Sequence, residues 1–310
     1  MAVDVVPATT APRRRPARGK LTAGERWRRR TPLLPALVFA IVLTQLPFLL
    51  TLYYSTRSQN LLRPGSDRFV GLANYGKVFG DALFRNAVIN TVVLTASAVL
   101  LSMVVGIAFA VLLDKKFFGR GVIRTLLITP FLVMPTAAAL LWKTSMLNPV
   151  FGLVNWVLGP FGADNTDWVS QFPMVSIILV LTWQWTPFMM LIVLAGLQSQ
   201  SPEVLEAAKV DGAGAWATFQ RITLPHLRQF IELGILLGSI FIVQTFDPIF
   251  MITQGGPGQA TTNLPYFIYL QAFRAFDVGL AAAAGVIVVV ATIIIATFAL
   301  RVISNLFREE

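Results

Sequence analysis

Residues 196–229 read GLQSQSPEVLEAAKVDGAGAWATFQRITLPHLRQ, one long polar segment lodged between two apolar runs, about Phe172 to Leu197 and Ile231 to Ile252. On either side lie four more apolar runs, at about Pro32 to Thr56, Ala87 to Leu113, Val122 to Ser145 and Gly279 to Leu300. Each has the ~20 residues that a helix rising ~1.5 Å per residue needs to cross ~30 Å of hydrocarbon. The pattern predicts an all-α integral membrane protein: six transmembrane helices within 32–310, a polar loop at about 198–229, and a basic tail at 1–31.

Composition agrees with that class. The 310 residues are 55% hydrophobic and 13% charged, against about 25% charged in a soluble domain. With no cysteine, disulfide staples, a Cys-based zinc site and thiol catalysis are excluded. A single histidine, His226, excludes a site of several imidazoles, and beside Pro225 it reads as a loop residue. There is no Gly-x-x-x-x-Gly-Lys-Ser/Thr phosphate loop, no Gly-x-Ser-x-Gly elbow and no His-Glu-x-x-His helix. The chain is therefore expected to catalyse nothing itself and to bind no cofactor or metal.

The formal charge of +10 is a topology signal rather than a nucleic-acid footprint. Of 25 Lys and Arg, 18 fall in the tail, the Lys115 to Arg124 turn, the 198–229 loop and the C-terminus. Basic residues gather on the cytoplasmic side, so both termini are expected there, against anionic lipid. The tail does not read as a cleavable signal, because its apolar run is long and five more follow. Loops Arg57 to Asn86, Met146 to Gln171 and Thr253 to Val278 then face outward, too short for a catalytic domain but able to dock a partner. Pro47, Pro130, Pro135, Pro187 and Pro248 interrupt the spans, either lining a pathway or as packing irregularities of a bundle.

Within the polar loop, Ser201 can cap a helix that opens on Pro202, with Glu203 in the first turn where free amides favour negative charge. The helix should end near Val210 or Asp211, and Gly212 should interrupt the chain before a second helical piece carrying Trp216, Phe219 and Ile222. Ala207 and Ala208 read as a small-residue face for a partner, Glu206 as a charged acceptor, and the aromatics as anchors to the bundle. An amphipathic helix resting on lipid is the other reading.

Glu206-Ala207-Ala208, Asp211-Gly212-Ala213, and then Phe219, Ile222, Leu224 and Pro225 resemble the EAA loop of bacterial binding-protein-dependent ABC importer permeases, in the branch that includes maltose, trehalose, glycerol-phosphate and polyol systems. Gly71-Leu72-Ala73-Asn74-Tyr75 is similar to that branch's GLxNY element, and Thr253-Gln254-Gly255-Gly256-Pro257 to its TxGGP segment. The resemblance implies the ABC importer permease fold, with Pro202 to about Ala215 as a coupling helix seated on a cytoplasmic ATPase. Glu203, Glu206, Ala207, Ala208, Asp211, Gly212 and Ala213 would form the coupling set, Glu206 touching the ATPase and Gly212 making the turn. Partners implied are a second homologous permease, two ATP-binding cassette subunits holding ATP and Mg, and an extracytoplasmic solute-binding protein meeting Gly255, Gly256 and Pro257. The location implied is a bacterial inner membrane, and the cargo a sugar or polyol moved as ATP-driven closure turns an inward-facing cavity outward.

Candidate pathway residues are Asn90, Trp183, Gln184, Trp185, Gln244, Thr245 and Asp247, with Trp142 a weaker one. Hydroxyl-rich cargo needs donors and acceptors beside aromatic faces, which Gln244-Thr245-Phe246-Asp247 supplies. Asp247 reads as a cargo contact or as a helix-interface or gating residue, and Glu232 as snorkelling or touching a loop. Trp183 and Trp185 cannot share a face of a regular helix, so one meets the pathway unless Pro187 distorts the span. An ion-coupled secondary transporter, which would show paired broken helices, and a non-transporting docking component are the alternative classes.

Overall fold

A computed structural model describes residues 33–162 and 165–306; the basic tail read at 1–31 lies outside the described residues. α1 (Leu34–Ser55) leads through an antiparallel pair, β1 (Arg57–Ser58) and β2 (Arg68–Phe69), to α2 (Ala73–Gly80) and the long α3 (Ala82–Asp114). Next come α4 (Arg120–Leu132), α5 (Pro135–Leu141) prolonged by a π turn at Trp142–Met146, short α6 (Leu153–Leu158) and α7 (Trp168–Gln171), and α8 (Pro173–Ser199). After α9 (Pro202–Val210), α10 (Ala215–Thr218) and α11 (Leu224–Ile242), α12 (Leu264–Tyr269) and α13 (Val278–Leu306) complete the described chain.

Contacts divide the chain into two units, Met1–Leu50 and Thr51–Glu310. In the first, the described turns of α1 expose apolar side chains such as Leu37, Phe39 and Leu43. The core lies in the second. There α3 and α8 run in the same direction: the Ser102 hydroxyl meets the Thr182 carbonyl at 3.5 Å, and Gly106 abuts Met189 and Met190. α11 packs on both in the opposite sense, with Gly196 against Leu227 and Phe230, and Gly238 against Met189 and Val99. Lipid gives apolar helices no hydrophobic drive to associate, so close backbone approach at small residues has to hold them.

Gly106 is the tightest such point that cannot relax. A Cβ there would stand 2.8 Å from the Met189 Cβ and 2.9 Å from the Met190 amide nitrogen, neither of which can swing aside. Gly106→Val is therefore expected to cost about 2–3 kcal/mol as α3 and α8 are pushed apart, with Gly106→Ala intermediate. Thermal melting of the purified protein in detergent checks the order; a Val variant that melts with the wild type removes this contact from the account.

Four of the apolar runs coincide with single helices: 32–56 with α1, 87–113 inside α3, 172–197 with α8 and 279–300 inside α13. Two do not. The run at 122–145 is broken between Leu132 and Pro135, where α4 and the Pro135–Met146 segment bend by 102°. Proline disfavours a helical conformation in the residue before it, and Met134 accordingly has ψ 133°, with Val133 beside it extended as well. The run at 231–252 begins seven residues early, at Leu224, leaves the helix after Ile242 and resumes by the π turn Ile249–Thr253. Pro248 supplies no amide for the Gln244 carbonyl and crowds it, which opens the gap at Val243 to Phe246. By length and composition α1, α3 and α8 can each cross a membrane, and α4 with the segment after it makes a fourth if the bent pair is one span.

The Gly71 to Tyr75 element works as a clasp. Asn74, buried, donates to the Ser55 and Arg57 carbonyls at 2.9 and 2.8 Å, and the Tyr75 and Ser55 hydroxyls lie 2.8 Å apart. Gly279, at the start of α13, lies so close to the Arg57 carbonyl and Asn74 that a side chain would overlap them. The hydrogen bond from Arg57 to Asp67 holds the guanidinium above its ordinary pKa.

Candidate translocation cavity and coupling helix

The two helix breaks meet at one cavity of about 290 Å³. Val133 and Pro135 line it from the first break, Gln244, Thr245, Phe246, Asp247 and Pro248 from the second, and Gln184 and Trp185 from α8. Each break is held by a side chain. Gln184, buried, donates from Nε2 to the free Val133 carbonyl at 3.1 Å, and Asn263 donates from Nδ2 to the free Thr245 carbonyl. Across the cavity the Thr136 hydroxyl donates to the Asp247 Oδ1 at 2.8 Å, while Lys143 Nζ donates to the Met251 carbonyl at 2.8 Å, so the two half-helices are tied at both ends. One wall is aromatic: Trp185 lies edge-on to Phe131 with centroids 5.7 Å apart and stacks on Phe241 at 5.6 Å.

Five of the seven sequence-read pathway residues thus come together: Gln184, Trp185, Gln244, Thr245 and Asp247. Trp183 does not; α8 stays helical through Pro187, and Trp183 packs edge-on against Trp142, 5.8 Å away. Asn90 also lies elsewhere, donating to the Gln259 and Thr262 carbonyls at 2.9 Å each. Sequence reasoning missed Phe131, Thr136, Phe241 and Asn263, the first two because one span was read as continuous although Pro135 marked its break.

The loop 253–263 is packed rather than wholly displayed. Gly255 is buried at positive φ, 82°, with a Cβ position 2.6 Å from the Thr262 hydroxyl, so it shapes the loop and offers no docking surface. Gly256 is half-buried; Pro257, Gly258, Gln259 and Ala260 form the exposed tip. Below them Thr261, Thr262 and Asn263 are buried.

At the start of the 196–229 segment, Ser201 caps no backbone amide; its hydroxyl meets Glu203 Oε2 at 3.2 Å instead. The other end of α9 follows the sequence closely. Gly212 has φ 76°, its amide reaches the Lys209 carbonyl at 3.1 Å, and the Ala213 amide reaches the Ala208 carbonyl at 2.9 Å, a Schellman closure. Ala207 and Ala208 do not share an exposed face, since neighbours on a helix point ~100° apart: Ala207 is exposed and Ala208 buried. Pro202, Glu203, Val204, Glu206, Ala207, Lys209 and Val210 are its exposed residues. Trp216 is 69% exposed and stacked on Phe219, so it does not anchor the segment. His226 belongs to α11, not to a loop; its Nε2 lies 3.1 Å from both the Ser199 hydroxyl and the Gly196 carbonyl. Glu232 pairs with Arg228 on its own helix at 2.8 Å.

Helices broken in pairs around a polar, aromatic-walled cavity, with a short helix displayed beyond the span ends, define a membrane transport subunit. The chain belongs to the family described as "Binding-protein-dependent transport system inner membrane component", whose model matches residues 102–309. It is 38% identical over 248 residues to a probable ABC transporter permease, y4oQ, of Sinorhizobium fredii, covering 79% of this chain and 80% of that one. To the trehalose/maltose transport system permease protein MalF of Thermococcus litoralis it is 35% identical over 251 residues, 80% of this chain and 82% of that one. A solved bacterial ABC transporter, "involved in the import of the acidic polysaccharide alginate", shares the fold at a TM-score of 0.75 and 23% identity, over 90% of this chain and 96% of that chain. The chain is thus a permease subunit of a binding-protein-dependent ABC importer, an inner-membrane protein with several apolar helices. Broken helices alone would equally suit an ion-coupled carrier; family membership assigns them to the importer.

Proposed function

We propose that this chain forms half of the translocation pathway of a sugar or polyol importer, with Gln184, Trp185, Gln244, Thr245 and Asp247 facing the cargo. The observation that carries this is the cavity itself: amide, hydroxyl and carboxylate groups beside the Phe131, Trp185 and Phe241 rings suit a solute with many hydroxyls and apolar C–H faces. Trehalose and maltose as the named cargo of a relative at 35% identity support the same reading.

In this reading six spans place both termini in the cytoplasm, the broken runs at 122–145 and 231–252 each counting as one. A second, homologous permease closes the pathway, and two ATP-binding cassette subunits hold ATP and Mg and supply the energy, since this chain catalyses nothing. α9 with the Gly212 turn is the coupling helix, and the exposed tip beside Gly256 and Pro257 meets the solute-binding protein.

Reconstituting the chain with its companion permease, ATPases and binding protein in proteoliposomes tests this. Uptake of a labelled neutral sugar or polyol should require ATP inside the ATPase-facing compartment, persist when ion gradients are collapsed, and fall at least about tenfold in Gln244→Ala with Asp247→Ala, through loss of several hydrogen bonds to cargo. Uptake that follows an imposed proton or sodium gradient and ignores ATP would overturn the proposal.

A further inference from the structure

The cavity holds one ionisable side chain and no basic one among the described residues: Asp247 lines it without an ion pair, and Lys143 is turned to the Met251 carbonyl. Asp247 also occupies the place where an anion would be most welcome. It accepts from Thr136 in the first turn after the Pro135 break, so the donor there is already engaged by the chain's own carboxylate. A phosphate, sulfonate or uronate entering this cavity would meet a like charge in a partly dehydrated space, with no guanidinium or ammonium to answer it; placing like charges together costs several-fold to many-fold in affinity. A neutral hydroxyl meets the opposite situation. It can donate to the free Asp247 oxygen and to the Gln244 and Gln184 amide oxygens while a ring face rests on Trp185.

Resting on the importer reading above, we infer that this chain selects uncharged polyhydroxylated solutes and excludes phosphorylated, sulfonated and uronic-acid sugars, with Asp247 as the residue that sets the discrimination. The fold places no such limit by itself, because the structural neighbour belongs to an importer of an acidic polysaccharide.

The test uses the full complex of both permeases and the ATPases in lipid nanodiscs, with the binding protein withheld so that only the membrane cavity discriminates. Equilibrium dialysis with tritiated trehalose, trehalose 6-phosphate, sorbitol and sorbitol 6-phosphate at millimolar concentration reads the affinities. In at least one pair the neutral member should bind at least about tenfold more tightly, and Asp247→Asn should narrow that ratio about fivefold or more, while Asp247→Glu preserves it. Equal or tighter binding of the phosphorylated member to the wild-type complex overturns the inference, as does an unchanged ratio in an Asp247→Asn complex that still assembles with its ATPases. No saturable binding of any of the four solutes overturns the sugar reading and this inference together; preference for a phosphorylated solute overturns this inference alone.

Discussion

If α9 is the coupling helix proposed above, Glu206→Arg is expected to leave the chain folded in the membrane while ATP-driven uptake falls at least about 100-fold and the ATPase no longer copurifies, as charge reversal at a carboxylate seated on a partner costs ~2–5 kcal/mol. The fold should not notice the change. Glu206 is exposed on α9 and makes no hydrogen bond or ion pair among the described residues, so its substitution removes nothing the helix relies on. What it alters is the surface that α9 presents, where the 87%-exposed Val210, one turn on, sets beside the carboxylate apolar area that water alone would not favour. Mass spectrometry of the complex purified in mild detergent reads the ATPase, and the melting temperature of the permease reads the fold. Glu206→Gln, which keeps an acceptor and drops the charge, should fall between. Retention of the ATPase and of uptake in the arginine variant would move the coupling surface away from this helix.

The sequence made α9 legible because its signals are local. Pro202 fixes a helix start and Gly212 a left-handed stop, and both are properties of two or three residues. Ser201 accepts from no backbone amide; its side chain is turned to donate its hydroxyl proton to Glu203 two residues on, an orientation that residue identity alone does not set. Span positions were legible from apolar runs, yet hydropathy reports only that residues avoid water. It is blind to a break whose freed carbonyls are satisfied by another helix, as Val133 is by Gln184 and Thr245 is by Asn263. The same limit explains Asn90. A buried amide in an apolar run signals an unmet backbone group somewhere, and only the fold reveals that the groups belong to Gln259 and Thr262, some 170 residues away. Gly255 was misplaced as a docking surface because a glycine-rich loop looks alike whether its glycines are displayed or are there to admit Thr262 and Tyr266.

Asn263→Ala should cost about 2–4 kcal/mol in stability and lower uptake at least about tenfold, because one side chain satisfies two buried backbone groups. Its Nδ2 donates to the Thr245 carbonyl in the break of the 231–252 run, and its Oδ1 accepts from the Tyr266 amide at 3.0 Å, capping α12. Asn263 is 1% exposed, so water cannot replace either bond without opening the loop. The two roles separate chemically. Asn263→Asp keeps an acceptor for Tyr266 but turns a carboxylate toward the Thr245 carbonyl, where only a donor fits; it should hold α12 and still misplace Thr245 and Asp247 at the cavity. Uptake should therefore fall in both variants, while protection of the Tyr266 amide against hydrogen exchange falls only in the alanine one. Were the aspartate variant to transport like the wild type, the break would be held without this tether, and Asn263 would be a helix cap and nothing more. If both losses appear as expected, the Asn263 to Thr245 hydrogen bond joins the loop with the exposed Pro257 to Ala260 tip to the cavity that contains Asp247, beside the ring contacts of the cavity-lining Phe246 with Tyr266 and Tyr269, a geometry in which displacement of one shifts the other.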